Sequence, residues 1–175
     1  MPRAQGIRHA RNVQDRIVWS AIVDGMSTAS LPVASDAVPR FDTKVVVLLR
    51  DDLAAWQELN VTSFLMSGVA VSAPGITGEP YRDGDGNTYL PMLRQPVLVM
   101  TASAPLLAAA RAKSLARGDV SIAIYTRELF TTGHDEANRA AVAAVAADDL
   151  DLVGIARRGP RNAVDRLVKG ARLHG

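Results

Sequence analysis

Three stretches of this 175-residue chain carry side chains able to do chemistry. The first is Arg50-Asp51-Asp52-Leu53, which ends an apolar run and precedes a helical pattern. Open α/β sheets place their ligand sites at such strand ends. A helix predicted to begin near Asn60 would add free backbone N–H groups that hold an anion or a developing oxyanion, with Asn60, Thr62 and Ser63 as neutral donors beside them. Asn60 as a plain N-cap, and Arg50 as an ion-pair partner of Asp51 or Asp52, account for the same residues without any ligand. The second stretch, Tyr125-Thr126-Arg127-Glu128, also follows a strand pattern and leads into Thr131, Thr132, His134 and Asn138. Those polar residues either converge on the cleft edge that holds Asn60 or act as caps and solvated loop. The third, Arg157-Arg158-Gly159-Pro160-Arg161, reads as a basic turn opening a final helix, a site for phosphates or a surface made soluble by charge.

These residues define the expected site. Arg50 would hold charge, Asn60 and the helix amides would orient a carbonyl, and Tyr125 or Thr126 would donate a hydrogen bond, with Thr62 nearby. For catalysis the candidates are Asp52, Asn60 and Thr126; for nucleic acid they are Arg157, Arg158 and Arg161. No metal or cofactor is expected. Cysteine is absent, and His9, His134 and His174 lack the close spacing that sets two imidazoles on one helix face. Asp83, Asp85 and Asn87 imitate half of a calcium loop, but Thr88 stands where glycine is needed and Arg94 where the closing glutamate belongs. A tight hairpin turn is the expectation there.

Positioning these groups falls to alternating strands and helices. Thr43–Leu49 is a continuous run of β-branched and leucine residues, the pattern of a strand buried on both faces. Pro96–Thr101, Val120–Tyr125 and Leu150–Ala156 read as further strands. Helices are predicted over about 60–73, 104–117, 136–147 and 160–173, the second with Ser103 as N-cap and Pro105 in its first turn. The result is an α/β chain, a three-layer α/β/α sandwich around a mixed sheet of about four strands, over residues 41–175. Aromatic residues make up only 5% of the chain, so the core must rest on Val, Leu, Ile and Ala.

Residues 1–40 are expected to be an extension, flexible or with one short helix near Asn12–Val23. The short apolar stretch Ile17–Val23, bracketed by Asp15 and Asp24, does not predict a secretory signal. No run approaches the ~20 apolar residues of a membrane span, and the cysteine-free composition fits a reducing compartment, so a cytoplasmic protein is expected. Net charge is +2, too little for the whole molecule to attract nucleic acid, but from Leu152 onward six cations face Asp165 alone.

Lys44 to Leu53, Trp56 to Thr62 and Ser67-Gly68, with Tyr81 to Asn87, Ile124 to Phe130, Asp135 to Arg139 and Leu152 to His174, resemble the uncharacterised DUF2000 family. That family is similar in fold to peptidyl-tRNA hydrolase II, whose first strand ends in an Arg-x-Asp-Leu turn like Arg50 to Leu53 and whose last segment has a Gly-Pro turn like Gly159-Pro160. The resemblance implies that fold. The hydrolase also has a lysine where this chain has Leu59 or Asn60, and an Asp-Ala-Gly turn where it has Tyr125-Thr126-Arg127. The ammonium and carboxylate that would support ester hydrolysis have no counterpart here. The leading expectation is a protein that binds a small anionic or amide-bearing ligand at the sheet edge. A divergent hydrolase of acylated tRNA or small amides, and a non-catalytic interaction domain, are the alternatives; a homodimer is a further expectation.

Overall fold

In the computed structural model of the chain, residues 40–175 are described. The predicted extension and its short helix lie outside them. Strand β1 (Thr43–Arg50) occupies the centre of a five-stranded mixed sheet. β4 (Val97–Ala102) runs parallel to it on one side, and β6 (Leu152–Pro160) runs antiparallel on the other. The outer positions belong to β5 (Ser121–Thr126), antiparallel to β6, and to the two-residue β7 (Arg172–Leu173), antiparallel to β4, giving the order β5-β6-β1-β4-β7. The expected count of about four is therefore corrected to five, because Arg172–Leu173 leaves the predicted final helix and pairs with Met100 and Thr101.

The all-apolar run of β1 has its reason in the layers. Val45, Val47 and Leu49 face α1 (Ala55–Ala70), meeting Val61, Leu65 and Val69. Val46 and Leu48 face the opposite way, into a cluster with Leu107 and Ala110 of α2 (Ala104–Leu115) and Val164 of α4 (Arg161–Leu167). Helices thus cover both faces, and a strand between them must be apolar at every position. A short helix, α3 (Asp135–Ala143), follows a 3-10 turn at Arg127–Phe130 beyond the end of β5.

Two local features set the position of α1. The register between β5 and β6 slips so that Tyr125 faces Gly154 while Thr126 faces Leu152, leaving Val153 as a bulge. Beside it, a Cβ on Gly154 would collide with Val61 Cγ1 and lie 3.1 Å from Leu65 Cδ1. Only glycine lets α1 approach the sheet this closely.

A separate hairpin pairs β2 (Tyr81–Arg82) with β3 (Thr88–Tyr89). Its turn is held by Asp83. Oδ1 accepts from the backbone N–H groups of Asp85 (3.0 Å) and Asn87 (2.9 Å), and Oδ2 accepts from Asn87 Nδ2 and Tyr89 Oη, both at 2.8 Å. Gly86 takes φ of 87°, a conformation that glycine adopts without strain. The predicted tight turn is present, and its carboxylate is consumed by hydrogen bonds.

Candidate functional site

The helix that carries Asn60 starts five residues earlier than its sequence suggests. Its N-cap is Ala54, whose N–H donates to Gln57 Oε1 at 3.0 Å, half of a capping box with no side-chain oxygen at the cap itself. Asn60 is consequently in the helix interior, away from the free N–H groups at the start of α1. What the helical repeat provides instead is a stripe, Trp56, Asn60, Phe64 and Ser67, along one side of α1.

That stripe walls a cleft of about 440 Å³ whose other sides are Tyr125 at the end of β5, Leu129 and Phe130 of the 3-10 turn, and Thr132, His134 and Asn138 at the start of α3. Four aromatic rings run along it in contact. Trp56 meets Phe130 edge-on with centroids 5.5 Å apart, Phe130 meets Tyr125 at 5.1 Å, and Tyr125 meets Phe64 edge-on at 5.8 Å. Trp56 and Phe64 are nonetheless more than half exposed. An apolar wall with one side open to solvent is what a flat ligand can cover.

Polar groups are set into this wall in fixed orientations. Tyr125 Oη donates to Asn60 Oδ1 at 3.0 Å. Burial raises the Tyr125 pKa above the usual phenol value, so the proton stays on the ring oxygen at neutral pH. With Oδ1 engaged, Asn60 Nδ2 is the amide's remaining donor, without an acceptor among the described residues. Thr132 Oγ1 lies within bonding reach of both the Leu129 carbonyl, at 3.1 Å, and Asn138 Oδ1, which fixes a second side-chain amide on the opposite wall. His134 caps α3, its Nδ1 accepting from the Ala137 N–H at 3.3 Å, which leaves Nε2 as the protonated nitrogen of the neutral ring. Asp135 is paired with Arg139. Capping here is the work of His134 rather than of Thr131 or Thr132.

The charged candidates form a different assembly at the end of β1. Arg50 Nε donates to Asp52 Oδ1 at 2.7 Å, and its Nη1 reaches Asp151 and the Leu152 carbonyl, the latter at 3.3 Å. Arg127 closes the ring with Nε to Asp151 at 2.9 Å and Nη2 to Asp52 at 3.5 Å. Burial works against the Arg50 charge, but Asp52 and Asp151 outweigh it and raise its pKa. Arg50 and Asp52 are therefore members of a closed ring of two cations and two anions, and neither lines the cleft.

Of the other expected residues, Tyr125 and Asn60 come together in the cleft. Thr62 is half-buried outside its lining, and Thr126 is fully buried with Oγ1 lacking a partner among the described residues. Arg157 is wholly interior rather than part of a basic turn, because β6 continues through it to Pro160. Desolvation lowers its pKa to about 10, and all three of its guanidinium nitrogens lack partners among the described residues. Arg158 is half-buried, and Arg161, the first residue of α4, is exposed. The residues that sequence reasoning did not assign to the site are Trp56, Phe64 and Phe130. The signal for Trp56 and Phe64 is their four-residue spacing about Asn60, readable once the helix starts at Ala55; Phe130, in the 3-10 turn, has no such signal.

The model of the DUF2000 family, described as a protein of unknown function, matches residues 43–175, and the chain belongs to that family. It is also similar to the solved structure of a protein of unknown function from Agrobacterium tumefaciens, at 48% identity and a TM-score of 0.74. That likeness covers 78% of this chain and 100% of the other. No curated protein matches the chain. No helix among the described residues is long and apolar enough to cross a membrane, and no group of three or more potential metal ligands occurs among them.

Proposed function

We propose that the domain has a peptidyl-tRNA hydrolase II-like fold and binds a small amide-bearing molecule in the cleft between α1, the end of β5 and α3. One observation carries the reading: Asn60, held by Tyr125, offers an oriented NH2 donor group in the middle of a continuous aromatic wall. A planar amide or acyl group laid against the exposed ring of Trp56 would direct its carbonyl oxygen to Asn60 Nδ2, with Asn138 and His134 lining the other side of the cleft. Among the cleft's lining residues there is no arginine or lysine, which favours the amide over the anion among the ligands expected from sequence.

For the hydrolase alternative, Asp52 has both oxygens in ion pairs and Thr126 is buried. Binding is therefore the reading that the geometry supports best. The test is titration with N-acetyl-phenylalanine amide, followed by quenching of Trp56 fluorescence in the full chain, in which Trp19 serves as internal reference through a Trp56→Phe control. Saturable quenching that is lost in Asn60→Ala supports it. Unchanged quenching in Asn60→Ala defeats the assignment, and release of free tRNA from N-acylated aminoacyl-tRNA would replace it with the hydrolase.

A further inference from the structure

At the other end of β1 a second concavity of about 270 Å³ opens, lined by Arg40, Thr43, Arg94, Gln95 and Arg158 together with the loop at Gly75. Thr43 and Arg50 are the first and last residues of the same strand, so this pocket is about 23 Å from the ion ring at the rise of an extended chain. It is separate from the cleft that holds Asn60.

Three guanidinium groups line this pocket, and no carboxylate does. Of the ten other described arginines, Arg50, Arg111, Arg117, Arg127 and Arg139 each have an aspartate within ion-pair distance and the remaining five do not. Arg40, Arg94 and Arg158 have none among the described residues. Arg158 adds a second, independent sign, since its Nε is shut off from solvent and has no hydrogen-bond partner among the described residues. A buried guanidinium N–H without an acceptor is costly; an anion in the pocket would meet the Nη groups of Arg158, which are not shut off from solvent, and would offset the charge of the whole guanidinium. The floor is rigid: Thr43 Oγ1 donates to Gln95 Oε1 at 2.7 Å, and Gln95 Nε2 donates back to the Thr43 carbonyl at 3.3 Å. Arg158 itself is fixed by strand pairing, in register with Val45 on one side and Ser121 on the other.

We propose that Arg40, Arg94 and Arg158 form a binding site for the terminal phosphate of a small molecule. Three forked cations suit a doubly charged tetrahedral oxyanion, each offering parallel N–H donors to its oxygens, whereas a single carboxylate would balance one of the three. A nucleic-acid backbone is less well matched. Its phosphates carry one charge each and are read by stripes of cations, while this site is a pit, with Arg157 in the interior and Arg161 absent from the lining.

The experiment is titration of the full chain with inorganic phosphate against chloride at constant ionic strength, following the Nε–Hε resonances of the arginines by NMR. Arg94→Gln and Arg158→Gln assign those resonances. Saturable shifts at Arg94 and Arg158 are expected with phosphate and not with chloride, and apparent affinity should fall at least tenfold in Arg94→Gln. Arg94 is exposed, so that variant tests the site even if Arg158→Gln fails to fold. Shifts that rise without saturating, equal affinity in Arg94→Gln, or saturation by tRNA without any response to phosphate would each overturn the proposal.

Discussion

The Tyr125 hydroxyl and the Asn60 side-chain amide, 65 positions apart in sequence, form a hydrogen bond of 3.0 Å that ties the end of β5 to the middle of α1. It does two jobs at once, joining the outer part of the sheet to its covering helix and orienting the amide within the cleft. Tyr125→Phe separates them. Loss of one partly buried hydrogen bond should lower stability by about 1 kcal/mol, measured by urea denaturation. Affinity for N-acetyl-phenylalanine amide should fall further than that, because Asn60 is then free to rotate. Equal affinity in the phenylalanine variant would mean that orientation of Asn60 is irrelevant to binding.

Gly154→Ala tests the same geometry from the sheet side. The new methyl group would collide with Val61, the neighbour of Asn60, so α1 must shift outward. A cost of about 1–3 kcal/mol is expected for overpacking of this kind, read as a lower denaturation midpoint. An unchanged midpoint would show that α1 moves freely against the sheet.

Arg157→Met should stabilise the protein. The guanidinium is wholly buried, its nitrogens have no partners among the described residues, and Val46 and Ile122 flank it in register. Burial lowers its pKa from the ordinary arginine range to about 10, which corresponds to roughly 3 kcal/mol of desolvation. A group whose cationic form is disfavoured on folding costs stability below its folded pKa. That cost diminishes as pH rises from about 10 toward the ordinary arginine range. A methionine of similar length removes the cost at neutral pH, and a gain of about 1–3 kcal/mol in urea denaturation is expected.

Asp83 gives the hairpin a pH response of the opposite sign. The Asn87 side chain, then Tyr89 and the backbone of Asn87, lower its pKa from 3.8 to about 2. A carboxylate with a depressed pKa contributes order that is complete above its ordinary range and is lost as pH falls through about 2. The amide resonance of Asn87 should therefore keep its position through the ordinary carboxylate range and move near the lower value. Movement centred near 3.8 would show that the network does not persist in solution.

The fold is most legible in the sequence where a pattern has a single cause. Thr43–Leu49 is apolar throughout because both faces are covered, and the helix after Ser103 begins where Pro105 fits its first turn. It is least legible at α1, where Ala54 caps the helix with no side-chain oxygen and Asn60 imitates the missing signal. That five-residue offset hides the alignment of Trp56, Asn60 and Phe64. Arg157 and Arg158 resemble a basic turn in sequence, yet the sheet extends through them and sends one inward and the other to the rim of a pocket. The cleft itself joins α1 to the continuous run of β5, the 3-10 turn and α3, and no local pattern encodes the meeting of two segments so far apart in sequence.

The order of strands also governs how the chain can reach its native state. β1 lies between β4 and β6, and its register joins Val45 to Val97 on one side and to Arg158 on the other. The central strand thus has no partner close in sequence, and the antiparallel β5–β6 pair is the most local contact in the sheet. Large loops must close before β1 can bond on either edge, which slows folding relative to helical proteins of this size. The β5–β6 pair brings Tyr125 to its place beside Gly154, and docking of α1 then delivers Asn60. The cleft is therefore complete only when both steps, pairing of β5 with β6 and docking of α1, have taken place.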